Sequence, residues 1–455
     1  MKIRVALKAV GDFKIIVVFE KEKGKGIPSY FEGKLGQAAV IDKKIIVGLG
    51  DKKKFDFEAI RTAAAAAILK AKEAKAKIVA SELIGKGLVP VKDSAQAMAE
   101  GAVLADYQYQ EFKKEKKESP IKELIIVEKD KDTQKSAKIG EILANAANDA
   151  RDLVNGPSNK ITPTYMAKYA LKMARKFDLT CKILDPKKEG MESLWAVAKG
   201  SKEPPKVVVL RHKGSGPLIG LIGKGITFDS GGINIKSSNR LWEMKTDMAG
   251  AAAVMLAMRA VSELKINKNI IAVIPLTENM PDGGALKPGD VVSSLEGTSV
   301  EVTNTDAEGR MILADAITYA KKQGAQKIFD CATLTGGCLV ALGDVASGIL
   351  GNDERLMDKV KAAAKKSGEK VWPLPLYEEY KEYLKSDLAD IKNCMDKGMA
   401  SPSTGATFLH KFIGDTPWVH LDIAGTAYLS KPRGYLSEGA TGVPLRTIVE
   451  WLLAG

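Results

Sequence analysis

Asn304-Thr305-Asp306-Ala307-Glu308-Gly309-Arg310, followed directly by Met311-Ile312-Leu313-Ala314-Asp315-Ala316-Ile317, is the stretch on which the reading of this chain turns. The second half is rich in helix formers and predicts a helix. The first half is then a loop that ends at a helix N-terminus, where unpaired backbone N–H groups favour anions. If the loop is extended, Asp306, Glu308 and Arg310 project to one side, because side chains alternate. Two oxygen ligands beside a fixed cation suit a hard metal ion and an anionic intermediate. Alone, the same pattern is equally a solvated loop or a surface ion pair.

A second cluster lies 60 to 80 positions upstream: Gly223-Lys224-Gly225-Ile226-Thr227-Phe228-Asp229-Ser230-Gly231-Gly232, then Lys236, then Met244-Lys245-Thr246-Asp247. The apolar run 217–222 reads as a buried strand feeding this turn. Glycines and a lysine suggest phosphate binding, but Gly-x-x-x-x-Gly-Lys-Ser/Thr is absent, and Asp229 would repel phosphate unless a metal intervened.

Outward from these clusters the chain alternates strands and helices. Strands are predicted at 14–19, 44–48, 77–80 and 124–127, with an alanine-rich helix over 57–76. A helix over about 136–153 is stopped by Asn155-Gly156-Pro157. Thr162-Pro163 marks an N-cap with proline at the first helical position, opening a helix to about 176. Strands follow at 207–210, 218–222, 269–275, 327–332 and 418–421, with helices over 249–264, 311–323 and 356–367. This rhythm predicts an α/β fold with a central, mostly parallel sheet. The acidic residues then fall just after strands, where open α/β sheets bind ligands.

Composition narrows the function. The 455 residues suit two or three domains, and no apolar run approaches a membrane span. The basic start Met1-Lys2-Ile3-Arg4 lacks the apolar stretch of a signal peptide. Cys181, Cys331, Cys338 and Cys394 show no Cys-x-x-Cys spacing and read as reduced core thiols of a cytoplasmic protein. There are three histidines, His212, His410 and His420, so a His-Glu-x-x-His zinc site is absent; each reads as packed or solvated. Ser230 has no nucleophile elbow around it and reads as a turn or supporting residue. The net charge is +13, and residues 1–150 carry 29 Lys+Arg against 22 Asp+Glu. The densest stretch, Lys113-Lys114-Glu115-Lys116-Lys117-Glu118, mixes signs and reads as a solvated helix face or loop rather than a nucleic-acid surface.

Taken together, NTDAEGRMILAD at 304–315 and GKGITFDSGGINIK at 223–236 resemble the signatures of the leucyl aminopeptidase family (M17), the di-metal cytosolic aminopeptidases. Asp247 falls at the matching spacing. Asn155-Gly156-Pro157, Ala332-Thr333-Leu334-Thr335-Gly336 and Trp418-Val419-His420-Leu421-Asp422-Ile423-Ala424-Gly425 extend the likeness over roughly 140–455. Lys245 and Ala249 depart from it, standing where arginine and glycine are common.

The resemblance implies two α/β domains: a smaller, macro-like N-terminal domain at 1–135 and a larger C-terminal catalytic domain at 161–455, joined by a bridging helix and linker at 136–160. It implies that Lys224, Asp229, Asp247, Asp306 and Glu308 hold two divalent ions, Mn²⁺ or Zn²⁺, with Asp229 and Glu308 bridging. It makes Lys236 the electrophilic lysine and Arg310 the holder of a bicarbonate that takes the proton. Met244, Thr333, Leu334 and Gly336 are placed by it around the bound amino acid. The expected activity is release of N-terminal residues, leucine and other apolar ones preferred, from short peptides by attack of a metal-bridging water. The expected assembly is a homohexamer.

Elementary chemistry agrees with these roles. Two dications stabilise hydroxide at neutral pH. A lysine can ligate a metal only when neutral, whereas one that stabilises an oxyanion must donate. The alternatives are a DNA-binding architectural protein on the same fold, for which the mixed charge speaks poorly, and another di-metal hydrolase such as a phosphoesterase.

Overall fold

The computed structural model describes residues 1–22, 26–395 and 398–454; the remaining positions, which fall inside the two expected domains, lie outside the described residues. The chain forms two compact units. One comprises residues 1–148 with 429–439, the other 149–428 with 440–455. The division therefore falls inside the helix Lys131–Asn155 rather than at 135 or 160, and an eleven-residue piece near the C-terminus belongs with the first unit.

The first unit is built on six strands in the order Lys2–Ala6, Glu123–Val127, Ile78–Glu82, Phe13–Val18, Lys44–Gly48, Ala38–Ile41. All neighbours are parallel except the last pair, Ala38–Ile41 with Lys44–Gly48. The helices Phe57–Glu73 and Val91–Asp106 pack against each other through alanine-rich faces. The basic stretch 113–118 lies in exposed turn and coil, where Lys116 pairs with Glu111 at 3.1 Å.

The second unit is built on a nine-stranded sheet. The path runs Val371–Pro373, Ser347–Gly351, Trp418–Asp422, Lys327–Ala332, Ile219–Gly223, Ile270–Asn279, Lys206–His212, Thr180–Leu184, with Gly225–Asp229 alongside Ile270–Asn279. The centre is parallel, and antiparallel pairs lie toward the two ends. Ile270–Asn279 is buried at nine of its ten positions, as a strand covered on both faces must be. The helices Ala249–Glu263 and Glu308–Lys322 pack on the central strands Ile219–Gly223 and Ile270–Asn279. Thr162 caps the helix Pro163–Lys176 through its side chain, which accepts from the Tyr165 N–H.

The histidines take three separate places. His212 Nε2 lies 2.8 Å from the Ile266 carbonyl, and His410 is half-buried beside Trp418. His420 is fully buried, with Nδ1 2.6 Å from Asp330 Oδ1. Cys331 and Cys338 are buried thiols, but Cys181 and Cys394 are only partly so, which corrects their reading as core residues. No described helix is long and apolar enough to cross a membrane.

Candidate metal centre

Four chain segments meet at the ends of the central strands. Lys224 follows the strand Ile219–Gly223, and Asp229 ends the strand Gly225–Asp229. Asp247 caps a 3-10 turn, Leu241–Thr246, instead of following a strand. Asp306 and Glu308 lie at the start of the helix Glu308–Lys322. That helix begins three residues earlier than the sequence predicts. Glu308 and Arg310 are therefore in its first turn and do not alternate as in a strand. Two helical positions turn a side chain by about 200°, so the two point apart. Arg310 reaches instead to the Asn393 carbonyl, to which Nη1 donates at 2.9 Å.

The charged groups interleave. Lys224 Nζ donates to Asp247 Oδ1 at 2.8 Å and to the Thr333 carbonyl at 2.9 Å, and stands 3.0 Å from Glu308 Oε1. Lys236 Nζ stands 2.8 Å from Asp229 Oδ2 and contacts Asp306 Oδ1. Oxygens of Asp229, Asp306 and Glu308 all lie within 4.8 Å of one another. Beyond their lysine contacts, the buried oxygens Asp247 Oδ2 and Asp306 Oδ1 accept no hydrogen bond. Four carboxylates crowded around two lysines fit a cation site, since buried negative charge in excess needs a counter-charge.

Electrostatics express the crowding. Burial, then the neighbouring Asp229, push the Asp306 carboxyl up to about 7 against the pull of Lys236. Burial likewise raises Asp247 and Glu308. Burial opposes a charge on Lys224, but Asp247, Glu308 and Asp229 outweigh it and hold its ammonium above the ordinary lysine range. The same balance, with Asp229, Glu308 and Asp306 as the carboxylates, raises Lys236.

The loops that carry these groups are latched together. Thr305 Oγ1 donates to the Gly231 carbonyl at 2.6 Å and accepts from Asn234 N at 2.9 Å, while Thr305 N donates to Asn234 Oδ1 at 2.8 Å. Thr333 Oγ1 donates to Asp247 Oδ1 at 2.7 Å. Asp422, at the end of its strand, accepts from Leu334 N and from Thr335 Oγ1. Thr305, Asn234 and Asp422 were legible only as parts of the quoted motifs, which gave no signal of these bonds.

Gly309 is needed for a close approach. A Cβ there would sit 2.4 Å from Lys224 Cε and 2.7 Å from Nζ. Lys224 cannot retreat without leaving its acceptors. We expect Gly309→Ala to keep the fold and to weaken binding of a divalent metal about tenfold or more, the scale of a disturbed ligand environment. Titration of the metal-free protein with Mn²⁺ checks this; wild-type affinity would show that Lys224 has room to move.

Lys224, Asp229, Lys236, Asp247 and Asp306 line one cavity of about 500 Å³ together with Met244, Thr333, Leu334 and Gly336. Leu339 and Ala424, not singled out from the sequence, complete its apolar side. Glu308 sits behind this wall, buried, and so does Arg310, whose Nε has no hydrogen-bond partner.

Comparison with known proteins follows the same lines. Residues 148–449 match the model of the Cytosol aminopeptidase family catalytic domain, and residues 30–116 match that of its N-terminal domain. A probable cytosol aminopeptidase of Alkaliphilus oremlandii is 44% identical over 440 residues, 92% of this chain and 88% of the relative. One from Solibacter usitatus is 46% identical over 415 residues, 89% of this chain and 85% of the relative. Among solved structures, the bottromycin maturation enzyme BotP in complex with Mn superposes with a TM-score of 0.90 at 34% identity, covering 98% of this chain and 99% of that one. A mutant of tomato leucine aminopeptidase gives 0.91 at 32% identity, covering 100% of this chain and 97% of that one.

Proposed function

Because this chain belongs to the cytosol aminopeptidase family, we propose that it is a two-metal aminopeptidase releasing N-terminal residues, leucine and other apolar ones foremost, from short peptides. The observation that carries the metal part is the convergence of Asp229, Asp306 and Glu308 within 4.8 Å, the first two in the wall of the cavity. Lys224, Asp229, Asp247, Asp306 and Glu308 would hold the ions, Mn²⁺ or Zn²⁺. Four carboxylates balance two dications. Ions bound there would supply a water acidic enough to act at neutral pH and an electrophile for the carbonyl oxygen.

The protein's own groups then divide the work. Lys236, about a quarter exposed at the cavity wall, donates to the oxyanion that develops on the substrate carbonyl. Arg310 offers an unpartnered, buried Nε to a small anion such as bicarbonate, which takes the proton. Met244 lines the pocket for the first side chain, and its flexible thioether suits a range of apolar residues. The backbone of Leu334 and Gly336 holds the substrate main chain.

A panel of aminoacyl amides tests this reading. Leucinamide and methioninamide should be cleaved, and their N-acetylated forms should not, because an aminopeptidase needs the free amine. Preferential cleavage of blocked amides or of phosphoesters would overturn it. The proposal extends to a cytoplasmic homohexamer. Sedimentation at working concentration should show a species of six chains, and fully active monomers would contradict it.

A further inference from the structure

Asn279 lies at the last position of the strand Ile270–Asn279, buried, about 25 residues before the acidic motif. Its Nδ2 donates to Asp229 Oδ1 at 2.9 Å, to the Thr305 carbonyl at 3.0 Å and to Glu308 Oε2 at 3.3 Å. All three partners are acceptors only, so the amide nitrogen, not its oxygen, must face them. One neutral side chain thus touches both central carboxylates. The same residue's carbonyl accepts from Ser230 N at 3.0 Å and Ser230 Oγ at 2.7 Å, tying it to the loop that carries Asp229. The turn beyond comes close on the other side. A Cβ on Gly232, whose φ is +67°, would lie 2.8 Å from Asn279 Oδ1.

We propose that Asn279 is a positioning residue: it fixes one oxygen each of Asp229 and Glu308 and thereby sets the affinity of the metal pair. The inference rests on the two-metal reading given above. Asp229 Oδ2 and Glu308 Oε1, the oxygens Asn279 does not touch, are the ones that face Lys236 and Lys224. Holding Oδ1 and Oε2 therefore decides the direction in which the other two point. A neutral donor does this without adding charge. A carboxylate at 279 would oppose acceptor to acceptor beside four negative groups, and an apolar residue would strip Glu308 Oε2 of its donor and leave Asp229 Oδ1 with the Gly231 N–H alone, at 2.9 Å. Partners of this kind, one step removed from the metal, govern affinity by about 10- to 100-fold.

The test is Mn²⁺ binding by calorimetry on the full-length protein, with Asn279→Ala and Asn279→Ser. Asn279→Ala should weaken Mn²⁺ binding roughly 10- to 100-fold, and Asn279→Ser, which keeps a shorter donor, should lose less. The metal-free Asn279→Ala protein should melt within a few degrees of wild type, and KM for leucinamide at saturating Mn²⁺ should stay near wild type. Undiminished Mn²⁺ affinity in Asn279→Ala overturns the proposal. If that variant does not fold, undiminished affinity in Asn279→Ser overturns it equally. Failure of the unaltered protein to bind Mn²⁺ would overturn the two-metal reading itself, and this inference with it.

Discussion

Stripped of divalent metal, the protein should lose hydrolysis of leucinamide altogether, and Mn²⁺, Zn²⁺ or Co²⁺ should restore it. The expected loss is at least about a thousandfold, because a water with its ordinary pKa is a poor nucleophile at neutral pH and several kcal/mol of charge stabilisation go with the ions. Reloading has a direction of its own. Lys224 enters the metal-free site charged, since Asp247, Glu308 and Asp229 outweigh the effect of its burial. Asp306, pushed up to about 7, is partly protonated at neutral pH. Both must give up protons before they can ligate, so uptake releases protons and apparent affinity rises as pH climbs through about 7 and beyond. Calorimetry in two buffers of different ionisation enthalpy reads the released protons directly. Full activity in a sample verified to be free of metal would end the two-metal proposal.

The second large effect separates the two lysines. Both sit among carboxylates, but Lys224 is 4% exposed and Lys236 24%. Both border the cavity, but the ammonium of the buried one is taken up by four oxygen partners, whereas the other is more open to it. Lys236→Ala should therefore retain both ions and lose about 2–4 kcal/mol of transition-state stabilisation, roughly 30- to 1000-fold in kcat, with little change in KM. Asp247→Ala and Glu308→Ala should instead lower metal occupancy and rate together. Loss of metal from Lys236→Ala, or an undiminished rate, would refute the division of roles.

Much of the fold and of the candidate site was legible because its signals are local. The strand Lys327–Ala332 and the strand Lys44–Gly48 stand where the apolar runs predict them, and most other elements shift by a few residues. The helix Val91–Asp106 was not legible. Its residues 94–104 are all buried, so it shows no polar stripe, and Pro90 gives its start no side-chain cap. The return of 429–439 to the first unit is a matter of tertiary packing that no local pattern records. In the site, the acids and lysines announce themselves by type and spacing. Asn279 does not, because it follows Thr277 and Glu278 at the polar end of its strand and its significance comes from partners up to 50 residues away.

The latch between the two acidic loops has a consequence for how ions are gained and lost. Thr305 and Asn234 join the loops through backbone groups and one another, and none of these bonds uses the side chain of a prospective metal ligand. Restricting a residue's backbone costs about 1–2 kcal/mol of conformational entropy, and here that ordering accompanies folding rather than ligand capture. Loops ordered in that way would keep their shape when metal is scarce. Revival of the empty protein would be limited by ion supply and proton departure, without a slow refolding of the catalytic loops.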